Sequence, residues 1–286
     1  MSGATLLELP NPFVTEYGSV HLFDQPTGDR ETLLAQLKSG DYDRPFVIDD
    51  GAQRSLYFSL ALVQSVMRIE VPDALELAYT RKMMSFLFFV PRPRQILLLG
   101  LGGGSLLKYC RRHLPLTRLT AVEISAEVIA FRELFRIPPD DARQQIVQTD
   151  AADFIEQHRE RPEVIMVDAF DRQGCALSIA NLAFYRRLRA LLAGNGVLVV
   201  NLAGEKRECD DHLAMIGDIF DDNYLVLPVR EGGNQIVFAF RDRQFAPRWK
   251  WIESQARPLG QRYGLDFPDF ARRLQRAGQR MRMDWR

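Results

Sequence analysis

The chain has 286 residues, 47% of them hydrophobic, which is enough for one large domain or for a domain with a smaller appendage. Its 37 basic residues balance 37 acidic ones, which excludes a global electrostatic field that would recruit nucleic acid or an anionic membrane surface. The three cysteines have no C-x-x-C spacing and no apolar segment is long enough to span a bilayer, so we expect a cytoplasmic protein without a metal.

Residues 1–70 have strand character without helical periodicity. The pair Asp50 and Gly51 is typical of a hairpin turn, and residues 30–38 predict a short helix. We interpret this part as a small, mainly β domain that covers the mouth of the main sheet. An extension that only packs on the core would have the same composition.

Residues 72–90 have apolar positions at helical spacing. This pattern predicts a helix that begins at Pro72 and Asp73 and ends before Pro91. The side chain of Tyr79 would then face a pocket in the main domain or pack in the core, and the pattern leaves both possibilities open.

The stretch 95–124 predicts a strand, a glycine turn, a helix and a second strand. The run 96–99 is apolar and too short for a helix, which is typical of a strand buried on both faces of a parallel sheet. The glycines that follow let the backbone turn sharply and approach a ligand closely, and the free N–H groups of the helix over 106–113 favour an electron-rich ligand. The turn contains Gly100, Gly102, Gly103 and Gly104.

Glu123 lies at the carboxyl end of the second strand, over 120–124, where an acid can accept both hydroxyls of a ribose. Dinucleotide enzymes need G-x-G-x-x-G, and Ser105 occupies the third glycine position, so an NAD-dependent dehydrogenase is the weakest hypothesis. The remaining G-x-G-x-G is the pattern of S-adenosylmethionine enzymes, although a structural turn in another α/β protein can have the same glycines. The stretch therefore predicts a nucleoside pocket.

Two further predicted strands, over 145–147 and 163–167, are each followed by acids. Asp150 can hold an adenine amine, cap the next helix, or do both. Because ligands bind outside the carboxyl ends of strands in open α/β sheets, Asp168 should face the same crevice as the glycine turn. It can take a proton from an attacking amine or hydroxyl, or only cap a helix, and its neighbour Asp171 makes a cationic substrate the better match.

The end of the chain predicts the type of sheet. A strand over 197–202 is followed by a helix and by two strands joined by REGG, and this hairpin makes the last strand antiparallel. The predicted fold class is α/β, a Rossmann-like S-adenosylmethionine-dependent methyltransferase-type sheet with a small N-terminal β domain. We divide the chain into that domain at 1–70, a catalytic domain at 71–245 and a helical tail at 246–286 that packs on it or contributes to a dimer.

Between about residues 56 and 240 the chain resembles the polyamine aminopropyltransferases, the family of spermidine synthase. The resemblance rests on an ordered series of residues and motifs: Gln64, Tyr79, ILLLGLGGG, VEIS, TDAADFI, IMVDAFD and FYRRL. It implies a homodimer that transfers an aminopropyl group from decarboxylated S-adenosylmethionine to an amine or polyamine acceptor.

The resemblance also implies roles for single residues. Asp168 would be the base that deprotonates the attacking amine, Glu123 would hold the ribose and Asp150 the adenine. The acceptor would be bound by Asp171, Tyr79 and Gln64. The implied donor-binding residues are Gly100, Gly102, Gly103, Gly104, Glu123, Ile124, Asp150 and Ala151.

Three positions depart from the family pattern. Gly103 stands where the family has an acid that clasps the free amine of the donor, and Leu75 and Arg81 replace two acids of its polyamine-binding stretch. An Arg81 that faced the groove would repel a polyamine. Without the donor-side acid the pocket can accept intact S-adenosylmethionine, so a methyltransferase and a non-catalytic nucleoside-binding protein of the same fold stay as alternative hypotheses.

Overall fold

The structure is a computed structural model that describes residues 5–13, 18–24, 29–60, 62–171, 174–175 and 181–283. The side chains of residues 170–171, 174–175 and 280–283 lie outside this description. Two main sheets organise the chain, one antiparallel and N-terminal, the other mixed and covered by helices.

The N-terminal sheet has five antiparallel strands in chain order within the described residues. Its strands are β1 Thr5–Pro10, β2 Ser19–Asp24, β3 Phe46–Asp49, β4 Gln53–Ser59 and β5 Leu62–Arg68. Helix α1, Arg30–Ser39, lies between β2 and β3; Asp29 caps its start and Gly40 ends it with a φ of 81°. The predicted β character, the short helix and the turn at Gly51 are confirmed.

The segment that links the two sheets is less helical than its sequence predicts. Helix α2 spans Ala78–Met83 and continues as a 3-10 helix over Met84–Phe88, so the predicted start at Pro72 is wrong. The guanidinium of Arg81 donates to the carbonyl oxygens of Leu75 and Glu76, at 2.7 and 2.6 Å. These carbonyls therefore accept from a side chain instead of the backbone N–H groups of an earlier helical turn.

The second sheet contains seven strands in the part of the chain that the structure describes, in the order β13-β14-β12-β9-β6-β7-β8. Strands β12, β9, β6, β7 and β8 pair in parallel with one another, and β14 is antiparallel to both β12 and β13, as the closing hairpin predicts. The strands are β6 Gln95–Leu99, β7 Arg118–Glu123, β8 Gln144–Gln148, β9 Val164–Val167, β12 Val197–Leu202, β13 Tyr224–Pro228 and β14 Gln235–Phe240. A two-stranded ribbon after β9 pairs β10, Phe170–Asp171, with β11, Gly174–Cys175.

Helices cover both faces of this sheet, which explains why its central strands are apolar throughout. On one face α3, α4, α8 and α9 share a core with Leu98, and on the other α5, α6 and α7 share a core with Leu97 and Leu99. The helices are α3 Ser105–His113, α4 Ala126–Ala130, α5 Ala151–Gln157, α6 Leu182–Leu191, α7 Lys206–Phe220, α8 Trp249–Tyr263 and α9 Phe267–Met283.

Helix α4 ends at Ala130, because the chain turns from Phe131 onward and Arg136 has a positive φ of 51°. The chain is helical in α8 and α9, and α9 packs against β13 and the 3-10 helix, where Phe267 meets Phe88. Across the residues described, we find no helix with both the length and the apolar character that a membrane span requires.

Candidate active site

A cavity of about 270 Å³ opens at the carboxyl ends of β6, β7, β8 and β9. The N-terminal sheet forms its opposite wall with Phe58, Gln64 and Ser65, and α2 contributes Tyr79 and Thr80. The cavity therefore lies between the two sheets, at the edge where ligands bind in open α/β folds.

The glycine turn forms the floor of the cavity through Gly100 and Gly102. Gly100 has a φ of 104°, and a Cβ there would lie 2.1 Å from the carbonyl oxygen of Asp168, so a residue with a side chain cannot occupy this position without moving β9. Gly103 and Gly104 do not line the cavity. A Cβ on Gly103 would meet the Oγ of Ser65 and the ring of Phe135, and a Cβ on Gly104 would meet Ile137. The sequence pattern does not distinguish these two pairs of glycines.

Glu123 ends β7 and lines the cavity beside Ile124. Its carboxylate accepts from the backbone N–H groups of Leu101, at 3.1 Å, and Ser125, at 2.9 Å. Burial raises the pKa of this carboxyl, while the backbone donors oppose that rise. The carboxylate is thus held in one orientation at the position predicted for a ribose-binding acid.

Asp150 caps α5, because its Oδ1 accepts from the N–H of Ala152 at 2.7 Å. It also lines the cavity, next to Thr149 and Ala151. The two roles considered for Asp150 from the sequence are therefore compatible, since the cap uses one carboxylate oxygen.

Asp168 follows β9 and is partly buried in the cavity wall. The hydroxyl of Tyr79 donates to its Oδ2 at 3.1 Å and the side-chain amide of Asn201 donates to its Oδ1 at 2.8 Å. Burial raises the pKa of Asp168 to about 6, and the two donors oppose this by stabilising the ionised form. A carboxylate with this pKa is ionised at neutral pH and is still basic enough to accept a proton.

Asn201 is a residue of the candidate site that the sequence analysis does not predict. It lies near the end of β12, is only 4% exposed, and its Oδ1 accepts from the side-chain amide of Asn234 at 2.9 Å. This second contact fixes the amide so that its N–H group faces Asp168. The sequence feature that points to Asn201 is its position as a single polar residue in the apolar strand VLVVNL.

The predicted acceptor-binding residues are placed as follows. Tyr79 and Gln64 line the cavity, and burial together with the neighbouring Asp168 raises the pKa of Tyr79 well above its usual value. Asp171 lies in β10, and its side chain is outside the described residues. Leu75 is buried in the core, and Arg81 does not line the cavity, so the expected repulsion of a polyamine by Arg81 is removed.

The residue types that commonly ligate metals are scattered in the part of the chain that the structure describes. No group of three or more histidine, cysteine, aspartate or glutamate side chains is placed there to hold a metal ion. The polar groups that line the cavity are carboxylates, hydroxyls and one side-chain amide.

The fold and the cavity together define a Rossmann-like protein of the methyltransferase type, with one reversed strand and a glycine turn. Residues 76–222 match the sequence profile described as spermine/spermidine synthase domain. The chain belongs to this family, as the sequence resemblance predicts.

Individual relatives support this assignment. A polyamine aminopropyltransferase of Neisseria meningitidis is 33% identical over 82% of this chain and 89% of its own length. The enzyme of the same name from Chromobacterium violaceum is 31% identical over 82% of this chain and 90% of its own length.

Solved structures share the fold at low sequence identity. A probable spermidine synthase from Corynebacterium glutamicum superposes with a TM-score of 0.62 at 20% identity, over 95% of this chain and 94% of the other. Human methyltransferase-like protein 13, solved in complex with SAH, gives a TM-score of 0.60 at 20% identity over 66% of this chain and 93% of the other. The predicted fold class is confirmed.

Proposed function

We propose that this chain transfers an aminopropyl group from decarboxylated S-adenosylmethionine to an amine acceptor. The observation that carries the proposal is the partly buried carboxylate of Asp168, which shares one cavity with the glycine turn and Glu123. Membership of the spermine/spermidine synthase family supports the same reaction.

In the proposed reaction the nucleoside part of the donor lies between Glu123, which accepts from the ribose hydroxyls, and Asp150, which accepts from the adenine amine. Gly100, Gly102, Ile124 and Ala151 complete this side of the cavity with backbone and apolar contacts. The sulfonium then lies above the glycine turn, near the end of β9.

The chemical step is a displacement at the carbon attached to the sulfonium. The acceptor nitrogen forms a C–N bond, the C–S bond breaks with its electron pair staying on sulfur, and methylthioadenosine leaves. The proton lost by the nitrogen goes to Asp168, whose two hydrogen bonds hold it in position. Positioning of the two reactants supplies most of the rate enhancement.

The acceptor side is proposed to consist of Tyr79, Gln64 and Asp171. The first two line the cavity on the side of the N-terminal sheet and α2. Because Asp168 is negatively charged at neutral pH, this side favours a cationic amine over an anionic acceptor.

The proposed reaction is tested by combining each donor with each acceptor and identifying the products. Purified protein is incubated with decarboxylated or intact S-adenosylmethionine and with putrescine or a panel of other amines. Release of methylthioadenosine together with an aminopropylated amine is the expected result, and Asp168→Asn should lower the rate by at least about a thousandfold. Release of S-adenosylhomocysteine would instead assign a methyltransferase, and donor binding without any product would assign a non-catalytic protein.

The assembly and the division of the chain are also proposals. We propose a homodimer in the cytoplasm, with domains at 1–70 and 71–245 and a helical tail at 246–286. Light scattering of the purified protein would test the dimer, and limited proteolysis would test the two boundaries.

A further inference from the structure

Two buried hydroxyls face each other on the wall of the cavity. Ser65 lies in β5 of the N-terminal sheet, and Ser105 is the first residue of α3, directly after the glycine turn. Their Oγ atoms are 3.2 Å apart, and the residues are 5% and 9% exposed. Both line the cavity, so the pair can contact a bound molecule.

The hydrogen-bonding capacity of this pair is only partly used. Two hydroxyls carry two protons, and their mutual hydrogen bond uses one. Within the described residues the structure shows no second partner for either hydroxyl, so one O–H group and several lone pairs are free for a ligand. A neutral pair of this kind can donate to a carboxylate and can also accept from an ammonium group.

The space beside the pair excludes a carboxylate side chain. A Cβ at Gly103 would lie 2.7 Å from the Oγ of Ser65 and 2.8 Å from the ring of Phe135. Phe135 is held in place because the ammonium of Lys108 donates to its carbonyl oxygen at 2.7 Å. The space that a side chain at position 103 would need is therefore occupied by Ser65 and Phe135, and an aspartate there needs a rearrangement of both.

The start of α3 adds further donors at the same place. Its N-cap residue is Gly104, which has no side chain to occupy the first N–H groups of the helix. The N-terminus of a helix favours negative charge. Near Ser65 and Ser105 the cavity lining thus presents O–H and N–H donors, and Gln64 beside them is also neutral.

We propose that Ser65 and Ser105 form the subsite for the tail of the donor, and that this subsite admits a tail with a carboxylate as well as a decarboxylated one. The inference rests on the proposed function, because that function places the sulfonium above the glycine turn. The inference assigns donor selectivity to two hydroxyls. It predicts that intact S-adenosylmethionine binds with an affinity comparable to that of the decarboxylated donor.

Calorimetric titrations with three ligands test this subsite. The ligands are decarboxylated S-adenosylmethionine, intact S-adenosylmethionine and methylthioadenosine, which has the nucleoside but no charged tail. We expect the two donors to bind with Kd values within about tenfold of each other. Ser65→Ala and Ser105→Ala should each weaken intact S-adenosylmethionine by about tenfold, because a hydrogen bond to a charged group is lost, and should leave methylthioadenosine unchanged.

The matched control is Ser85→Ala, which removes a fully buried hydroxyl that does not line the cavity. Retained binding of methylthioadenosine shows that each variant is folded. Two results would overturn the proposed subsite. One is that intact S-adenosylmethionine binds over tenfold more weakly than the decarboxylated donor. The other is that its binding is unchanged in both Ser65→Ala and Ser105→Ala. Failure of the wild-type protein to bind methylthioadenosine would instead contradict the proposed function itself.

Discussion

The hydroxyl of Tyr79 and the carboxylate of Asp168 form a hydrogen bond of 3.1 Å between residues that are 89 positions apart in the chain. It connects α2 to the end of β9, and it gives the candidate base a neutral donor that stabilises its ionised form. Both residues line the cavity, so a reacting amine would meet them together.

Tyr79→Phe should lower kcat by about tenfold, because it removes one donor from Asp168 without changing the shape of the ring. With less stabilisation of the carboxylate the pKa of Asp168 rises, so the acidic limb of the pH–rate profile should move to higher pH. Steady-state kinetics across pH 5 to 9 measure both effects. Tyr57→Phe, in β4, is the control and should change neither; an unmoved acidic limb in Tyr79→Phe would argue against this role.

The raised pKa of Asp168 also predicts how stability depends on pH. A carboxyl whose pKa is about 6 in the folded chain and 3.8 when unfolded favours the folded state while it is protonated, and this contribution is lost as the pH rises through 6. Relative to Asp168→Asn, the wild-type protein should therefore lose about 2 kcal/mol of unfolding free energy between pH 4 and pH 8. Denaturant unfolding of both proteins at several pH values measures this; parallel curves would show that Asp168 has an ordinary pKa.

Asn234→Ala should reduce kcat about three- to tenfold with little change in KM for the acceptor. The substitution removes the donor that fixes the amide of Asn201, so this amide can turn its oxygen toward Asp168. Asn223→Ala is a suitable control, because that side chain bonds only the carbonyl of Asp242 at the surface. Equal activity of the two variants would mean that Asn234 does not orient Asn201.

Arg81→Ala should lower the free energy of unfolding by about 1 to 3 kcal/mol, because two backbone carbonyls lose their donor. KM for a diamine should stay unchanged, since Arg81 does not line the cavity. Arg68→Ala, which breaks a half-exposed ion pair with Glu76, should cost much less. A lower KM for the diamine in Arg81→Ala would show instead that the guanidinium repels the acceptor.

The residues that the sequence places correctly are those whose position follows from local rules. Glu123 and Asp168 end apolar strands, and the carboxyl ends of parallel strands meet at one edge of a sheet, so their common cavity is predictable. The reversed β14 follows from the short REGG link, because a hairpin forces antiparallel pairing.

The residues that the sequence does not place correctly depend on contacts between elements that are distant in the chain. Asn201 matters through Asn234 on one side and Asp168 on the other, and Ser65 through Ser105. The periodicity of hydrophobic residues does not reveal such pairs, because each partner is an ordinary polar residue in its own strand or helix. The start of α2 is missed for the same reason, because a long side chain competes for the carbonyls of residues 75 and 76.

The close packing of Gly100 against Asp168 has a mechanical consequence. The N–H of Asp168 donates to the carbonyl of Leu99, and the missing side chain at Gly100 lets the two main chains touch. The glycine turn and the backbone of Asp168 are thus joined directly, so we expect thermal motion to displace them together. In the proposed reaction, this coupling would let the backbone set the distance between the sulfonium and the base.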